Sequence, residues 1–131
     1  MKLLLDTHIW LWSLLEPERL TSRVLRALRE PRTELWLSSV SVWELTVLVT
    51  KGRVKLGEEV KHWTRTALER VPFIEAPLTV EVALETTELS LAHPDPADRF
   101  LIATARVFDL TLVTADRRIL DADLCSLLPN R

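Results

Sequence analysis

Five short apolar or β-branched runs, Lys2–Asp6, Glu34–Ser38, Phe73–Glu75, Thr111–Thr114 and Cys125–Leu128, alternate along the chain with stretches of helical periodicity. That alternation constrains the fold more than any other feature. Strands separated by helices cannot pair as hairpins, and strands joined by helical crossovers lie parallel. The expected architecture is a three-layer α/β domain with helices on both faces of a central, mainly parallel sheet of four to five strands. The 131 residues, 47% of them hydrophobic, suffice for one such domain over 1–131 and not for two.

The helical segments carry their own start and stop signals. Thr7 reads as a cap for a largely buried helix that stops near Glu16-Pro17, because the residue before proline disfavours helical geometry. Thr21 or Ser22 opens a second helix, with Val24, Leu25 and Leu28 on one face and Arg19, Arg23, Arg26, Arg29 and Arg32 elsewhere. Ser41-Val42-Trp43-Glu44 opens a third helix that runs to about Thr50, with Gly52 as the left-handed residue beyond its end. Further helices fit Glu58–Glu69 and Val80–Glu88. After a His93-Pro94-Asp95-Pro96 loop, Pro96 begins a helix capped by Asp95 and continuing through Phe108, and a short helix fits Asp116–Leu120.

Composition removes several function classes. With only two glycines, the chain contains neither a dinucleotide-binding G-x-G-x-x-G turn nor a G-x-x-x-x-G-K-[ST] phosphate loop. One cysteine and three scattered histidines exclude an internal disulfide and a Cys/His zinc site. The net charge of −2 gives no global field to attract a polyanion, so a nucleic-acid partner has to be held locally. The amino-terminal apolar run is too short for a signal peptide and no run is long enough to span a bilayer, so a soluble, cytoplasmic protein is expected.

Ligands of parallel sheets sit outside the carboxyl ends of the strands, which directs attention to acids just after strands. Asp6 ends the first strand, Glu44 falls in the first turn after the second, Asp98 follows the proline-bounded loop, and Asp116 lies just beyond the fourth strand. Singly, three have ordinary readings: Glu44 completes a capping box with Ser41, Asp98 favours its helix dipole, and Asp116 caps a helix. Asp6 has no such partner. Spacings of 38, 54 and 18 residues mean that only tertiary structure brings the four together. Converging carboxylates repel one another unless a cation neutralises them, and an all-oxygen set selects a hard ion, Mg²⁺ or Mn²⁺, which bridges to phosphate oxygens. Phosphoester chemistry is the expectation.

Leu3-Leu4-Leu5-Asp6-Thr7-His8, Ser41-Val42-Trp43-Glu44-Leu45, Asp95-Pro96-Ala97-Asp98-Arg99-Phe100-Leu101-Ile102-Ala103-Thr104-Ala105 and Leu112-Val113-Thr114-Ala115-Asp116 resemble, in order, the motifs of PIN-domain ribonucleases. In particular they resemble the VapC toxins of bacterial and archaeal toxin–antitoxin pairs. The resemblance runs from Lys2 to about Leu128. It implies a Mg²⁺- or Mn²⁺-dependent endoribonuclease that leaves 5′-phosphate and 3′-hydroxyl ends, with Asp6, Glu44, Asp98 and Asp116 as the metal-binding and catalytic set. It also implies RNA as substrate, a VapB-like antitoxin covering the pocket, and a homodimer. Thr114 stands where the family often places a hydroxyl near the metal, and Asp95 reads mainly as a helix cap.

Other features have plainer readings. The arginine stripe either meets RNA phosphates or is a solvated face, and the latter is the commoner use. Trp10, Trp12, Trp36, Trp43 and Trp63 stand among apolar residues and read as packing rather than base-stacking surfaces. His8, in a helix, is expected to point away from Asp6, and Arg99 reads as structural. A response-regulator receiver domain would need a lysine near its last strand, whereas the last lysine here is Lys61. A metal-dependent phosphatase of small esters and an inert PIN-like binding module remain as alternatives at this level.

Overall fold

The computed structural model describes residues 1–90 and 95–131, so the expected loop at His93-Pro94 lies outside the described residues. Strands β1 (Lys2–Leu5), β2 (Glu34–Ser38), β3 (Ile74–Ala76), β4 (Thr111–Thr114) and β5 (Leu127–Pro129) form one sheet in the order β3-β2-β1-β4-β5. Every pairing is parallel. The expected mainly parallel sheet is therefore wholly parallel and has five strands.

β1 is central, and its three leucines are buried on both faces of the sheet as the alternation of side chains along a strand requires. Leu3 and Leu5 point into a core shared with helices α1 (Thr7–Leu15), α2 (Ser22–Arg29) and α3 (Ser39–Thr50), against which Val60, Trp63 and Leu68 of α4 (Val60–Arg70) also pack. Leu4 points the other way, into a core built from α5 (Val80–Glu85), α6 (Pro96–Phe108) and α7 (Arg117–Ala122). These two cores make the three layers. Trp10 is fully buried on the first side, with Trp63 packed edge-to-face on it at 6.1 Å between ring centroids.

Several boundaries move for local reasons. α3 begins at Ser39, two residues earlier than expected, because Ser38 at the end of β2 caps it by accepting the Val40 N–H at 3.0 Å. Ser41 and Glu44 are consequently inside the helix and form no capping box. α1 begins directly at Thr7, with Asp6 in the cap position and Thr7 fully incorporated. α2 is capped by Thr21, whose hydroxyl accepts the Val24 N–H at 3.2 Å. The segment expected as one helix to Glu88 tightens into a 3₁₀ turn over Thr86–Glu88, and another such turn over Pro17–Arg19 follows α1. Gly52 holds the left-handed position that ends α3 (φ 72°), and the Gly52 and Arg53 N–H groups close back onto the Val49 and Leu48 carbonyls.

Leu4 is fully buried at the centre of the second core. Leu4→Ala is expected to cost about 2–5 kcal/mol of folding stability, measured by urea denaturation, as large-to-small substitutions in close-packed cores do.

Candidate active site

Strand order reverses between β1 and β4: the chain adds β2 and β3 on one side of β1 and then returns to add β4 and β5 on the other. The helices that leave these two neighbours pack on opposite faces, α1 on the first core and α7 on the second, so a crevice opens at their carboxyl ends. It is a cleft of about 610 Å³, and Asp6, Glu44, Asp98 and Asp116 all line it. The four acids foreseen from the sequence are thus brought to one place.

Asp6 is fixed by its backbone. Its N–H extends the sheet ladder to the Val113 carbonyl at 3.0 Å, and its own carbonyl accepts the Trp10 N–H at 3.0 Å. An aspartate in a helix cap position ordinarily turns its carboxylate onto the first backbone N–H groups. The Asp6 carboxylate closes no such cap, although the neighbouring Thr7 N–H favours its charge, and it accepts a hydrogen bond from the Thr114 hydroxyl at 2.6 Å. That hydroxyl also accepts the Asp116 N–H at 3.0 Å, so Thr114 couples two of the acids. The Thr114 carbonyl in turn accepts the Asn130 N–H at 2.9 Å, while the Asn130 side chain holds the Thr21 N–H and the Arg19 carbonyl. The last residues of the chain therefore strap the end of β4 to the start of α2.

Glu44 lies in the second turn of α3. Its carboxylate accepts the Thr7 hydroxyl, which also lies 3.0 Å from the Ser41 hydroxyl. A hydroxyl carries one proton, so Ser41 is the donor in that second contact. Thr7, read from the sequence as a cap, thus serves Glu44. Asp98 is the third residue of α6 and is buried. Asp116 does cap its helix, accepting the Arg118 N–H at 2.8 Å, and Asp95 caps α6 through the Ala97 N–H at 3.0 Å, yet both also line the cleft.

The carboxyl groups feel one another. Burial pushes the Asp98 pKa up to about 7, with further upward pressure from Asp95, Asp6, Asp116 and Glu44. Burial also raises Asp6, against the opposing pull of the Thr114 hydrogen bond, and Asp116 adds to the rise. Glu44 is raised by burial, opposed by Thr7 and reinforced by Asp6 and Asp95. The chemistry of such a cluster fits a divalent cation: the donors are hard oxygens, and a cation would relieve their mutual repulsion. Among the described residues, no three or more His, Cys, Asp or Glu side chains are drawn together tightly enough to hold an ion by protein atoms alone. The acids ring an open cleft, an arrangement suited to an ion that keeps part of its water shell.

Other cleft residues depart from the sequence reading. His8 lines the cleft instead of pointing away, because α1 starts immediately after Asp6 and its first turn is still at the crevice; its charge favours ionised Asp6 and Glu44. Trp43, read as packing, is 57% exposed and also lines the cleft, as do Lys51, Arg53 and Arg118. Arg23, Arg26, Arg29 and Arg32 do not line it. Arg99 is structural, donating to the Leu89 carbonyl at 3.3 Å. Thr7 and Ser41 carried a faint signal, being hydroxyl residues beside motif acids; nothing in local sequence distinguished Lys51 or Arg53.

A doubly wound, all-parallel α/β domain with an acidic cleft at its switch point is thus defined by fold and site together. The profile of the PIN domain family matches residues 3–124, and the chain belongs to that family. It is 36% identical over 117 residues to Ribonuclease VapC22 of Mycobacterium tuberculosis, a match covering 88% of each chain. Its fold is similar to that of VapBC2 from Rickettsia felis bound to a DNA fragment from their promoter, with a TM-score of 0.75 at 19% identity over 98% of both chains. DNA-bound VapBC from Salmonella typhimurium gives a TM-score of 0.68 at 18% identity, covering 100% of this chain and 99% of that one. No helix among the described residues is long and apolar enough to cross a membrane.

The raised carboxyls set the sign of the pH dependence. A carboxyl whose folded pKa exceeds its unfolded value binds its proton more tightly in the folded state, so the stability it contributes is present at low pH and lost as pH rises through the folded pKa. For Asp98 that window runs from its ordinary value of 3.8 to about 7. In EDTA, the thermal midpoint of the wild-type chain is expected to fall across this window, and Asp98→Asn is expected to flatten the fall. A pH-independent midpoint contradicts the repulsion described.

Proposed function

We propose that this chain is a divalent-metal-dependent endoribonuclease that hydrolyses RNA phosphodiester bonds as the toxin half of a toxin–antitoxin pair. The observation that carries the reading is the convergence of Asp6, Glu44, Asp98 and Asp116 in one cleft at the switch point of the sheet. Family membership and the 36% identity to a ribonuclease support RNA as the substrate. The likeness to VapBC assemblies supports a VapB-like antitoxin as partner, and a cytoplasmic homodimer is part of the same proposal.

In this reading Asp6 and Asp98 would hold Mg²⁺ or Mn²⁺, and Glu44 and Asp116 would complete the set. The bound ion supplies Lewis acidity toward a phosphate oxygen and a more acidic water. The chain's own residues do the rest. Thr114 fixes one orientation of the Asp6 carboxylate, and Thr7 fixes Glu44, so neither acid has to reorganise when substrate arrives. Glu44, held in place by Thr7 and not one of the two principal ligands, is the carboxylate suited to accept a proton from an attacking water.

Cleavage of an end-labelled structured RNA pool is the test. The wild-type chain is expected to cut with Mn²⁺ and not with EDTA, and Asp6→Asn is expected to lower the rate at least about a hundredfold while the fold persists by circular dichroism. Full Mn²⁺-dependent cleavage by Asp6→Asn removes Asp6 from the site. Hydrolysis of a generic phosphate ester with no cleavage of RNA moves the assignment to a phosphatase.

A further inference from the structure

Four of the five tryptophans pack against something. Trp10 and Trp63 face each other, Trp36 lies 5.8 Å from Phe108, and Trp12 sits between His8 and the Arg19 guanidinium, which is 4.7 Å from its ring centroid. Trp43 differs. It belongs to neither core, no aromatic ring among the described residues stacks on it, and more than half of it is exposed at the acidic cleft. A single exposed apolar side chain needs no explanation by itself. This one precedes Glu44 in the same helix, at the place where a substrate must lie if Glu44 acts on it.

The same helix carries the complementary charge. Trp43, Val47 and Lys51 recur at four-residue intervals, the spacing that keeps side chains on one helical face, and all three line the cleft. From Trp43 to Lys51 that face runs about 12 Å. The left-handed Gly52 then turns the chain so that Arg53 returns to line the same cleft. Both cations are exposed, and among the described residues neither enters an ion pair, whereas Arg118 across the cleft is paired with Asp116. One wall of the cleft thus presents, in order along the chain, the Trp43 indole, the Glu44 carboxylate and two uncommitted cations.

We infer that Trp43 is a stacking platform for one unpaired nucleobase of the substrate and that Lys51 and Arg53 hold the phosphates beyond it. The inference rests on the ribonuclease reading and adds to it residues that position the strand and select an unstacked base. An indole face accepts any base because every base has a π-face, while a base inside a duplex is already stacked on its neighbours and cannot reach it. Lysine and arginine supply sequence-blind, salt-dependent affinity. A nucleic-acid strand would use the indole and both cations together, whereas a neutral or basic protein segment docking on Trp43 would gain nothing specific from the cations.

Two readouts test it. Binding of an end-labelled single-stranded oligoadenylate is measured by fluorescence anisotropy in EDTA at low salt, beside an abasic strand of the same length and a fully paired duplex. The wild-type chain is expected to prefer the oligoadenylate. Trp43→Ala should weaken that binding about tenfold without changing the abasic strand, with Trp43→Phe recovering most of the loss. Lys51→Gln and Arg53→Gln should weaken both strands and each reduce the slope of log K against log salt by about 0.7. In Mn²⁺-dependent cleavage, Trp43→Ala should raise KM more than it lowers kcat. Undiminished oligoadenylate binding and KM in Trp43→Ala, alongside normal cleavage, overturns the platform while leaving the ribonuclease reading standing. The same result with lost affinity for the antitoxin makes Trp43 a protein-docking residue instead. Absence of RNA cleavage by the wild-type chain overturns both.

Discussion

The hydrogen bond between Thr114 and Asp6 joins the ends of the two strands between which the sheet reverses its winding. A carboxylate at the end of a strand buried on both faces is costly unless its position is over-determined. Here the ladder bond to Val113, the helix bond from Trp10 and the Thr114 hydroxyl together determine it. Because Asp6 is spared from capping α1, its charge faces the cleft. Thr114 then passes the constraint on, to Asp116 through its hydroxyl and to the chain terminus through Asn130. The remaining acids are arranged around that fixed point.

The site trades stability for charge density. Asp98 is buried beside four other acids that all raise its pKa, and a fold selected for stability alone would not collect them. The two cores that carry this strain are independent of it. Leu3 and Leu5 on one face and Leu4 on the other anchor β1 without any contribution from the acids. The cleft has a second character on its α3 wall, where Glu44 is flanked by Trp43 before it and by Lys51 and Arg53 after it. Acid and base chemistry is concentrated at the strand ends, the ring contact lies beside Glu44, and the contacts suited to a polyanion lie at the far end of the helix.

Much of this was legible in the sequence because it follows from local rules. Alternating strands and helices required a parallel sheet, the span Pro96–Phe108 and its Asp95 cap came directly from proline and aspartate placement, and Gly52 marked the end of α3. The four acids were found because parallel sheets place ligands at strand carboxyl ends. What escaped depended on tertiary detail. The early start of α3 turned on whether Ser38 or Ser41 would cap, a choice made by the strand that delivers Ser38 to the helix. His8 was misdirected because helix periodicity says which residues share a face and not which face meets a crevice. Trp43 looked like a core residue by its neighbours, and only the packing of the other tryptophans shows that this one was left out. Thr7 entered the site through contacts with Ser41 and Glu44 that each span more than thirty residues, beyond any local signal.

Asp6, Glu44, Asp98 and Asp116 are proposed to act together on divalent metal at the switch point. Anomalous scattering from crystals of the chain soaked in Mn²⁺ tests it most directly. The expected result is an anomalous peak in the cleft beside the Asp6 and Asp98 carboxylates. A well-ordered, metal-soaked crystal with no peak there, or with Mn²⁺ bound only elsewhere, would contradict it.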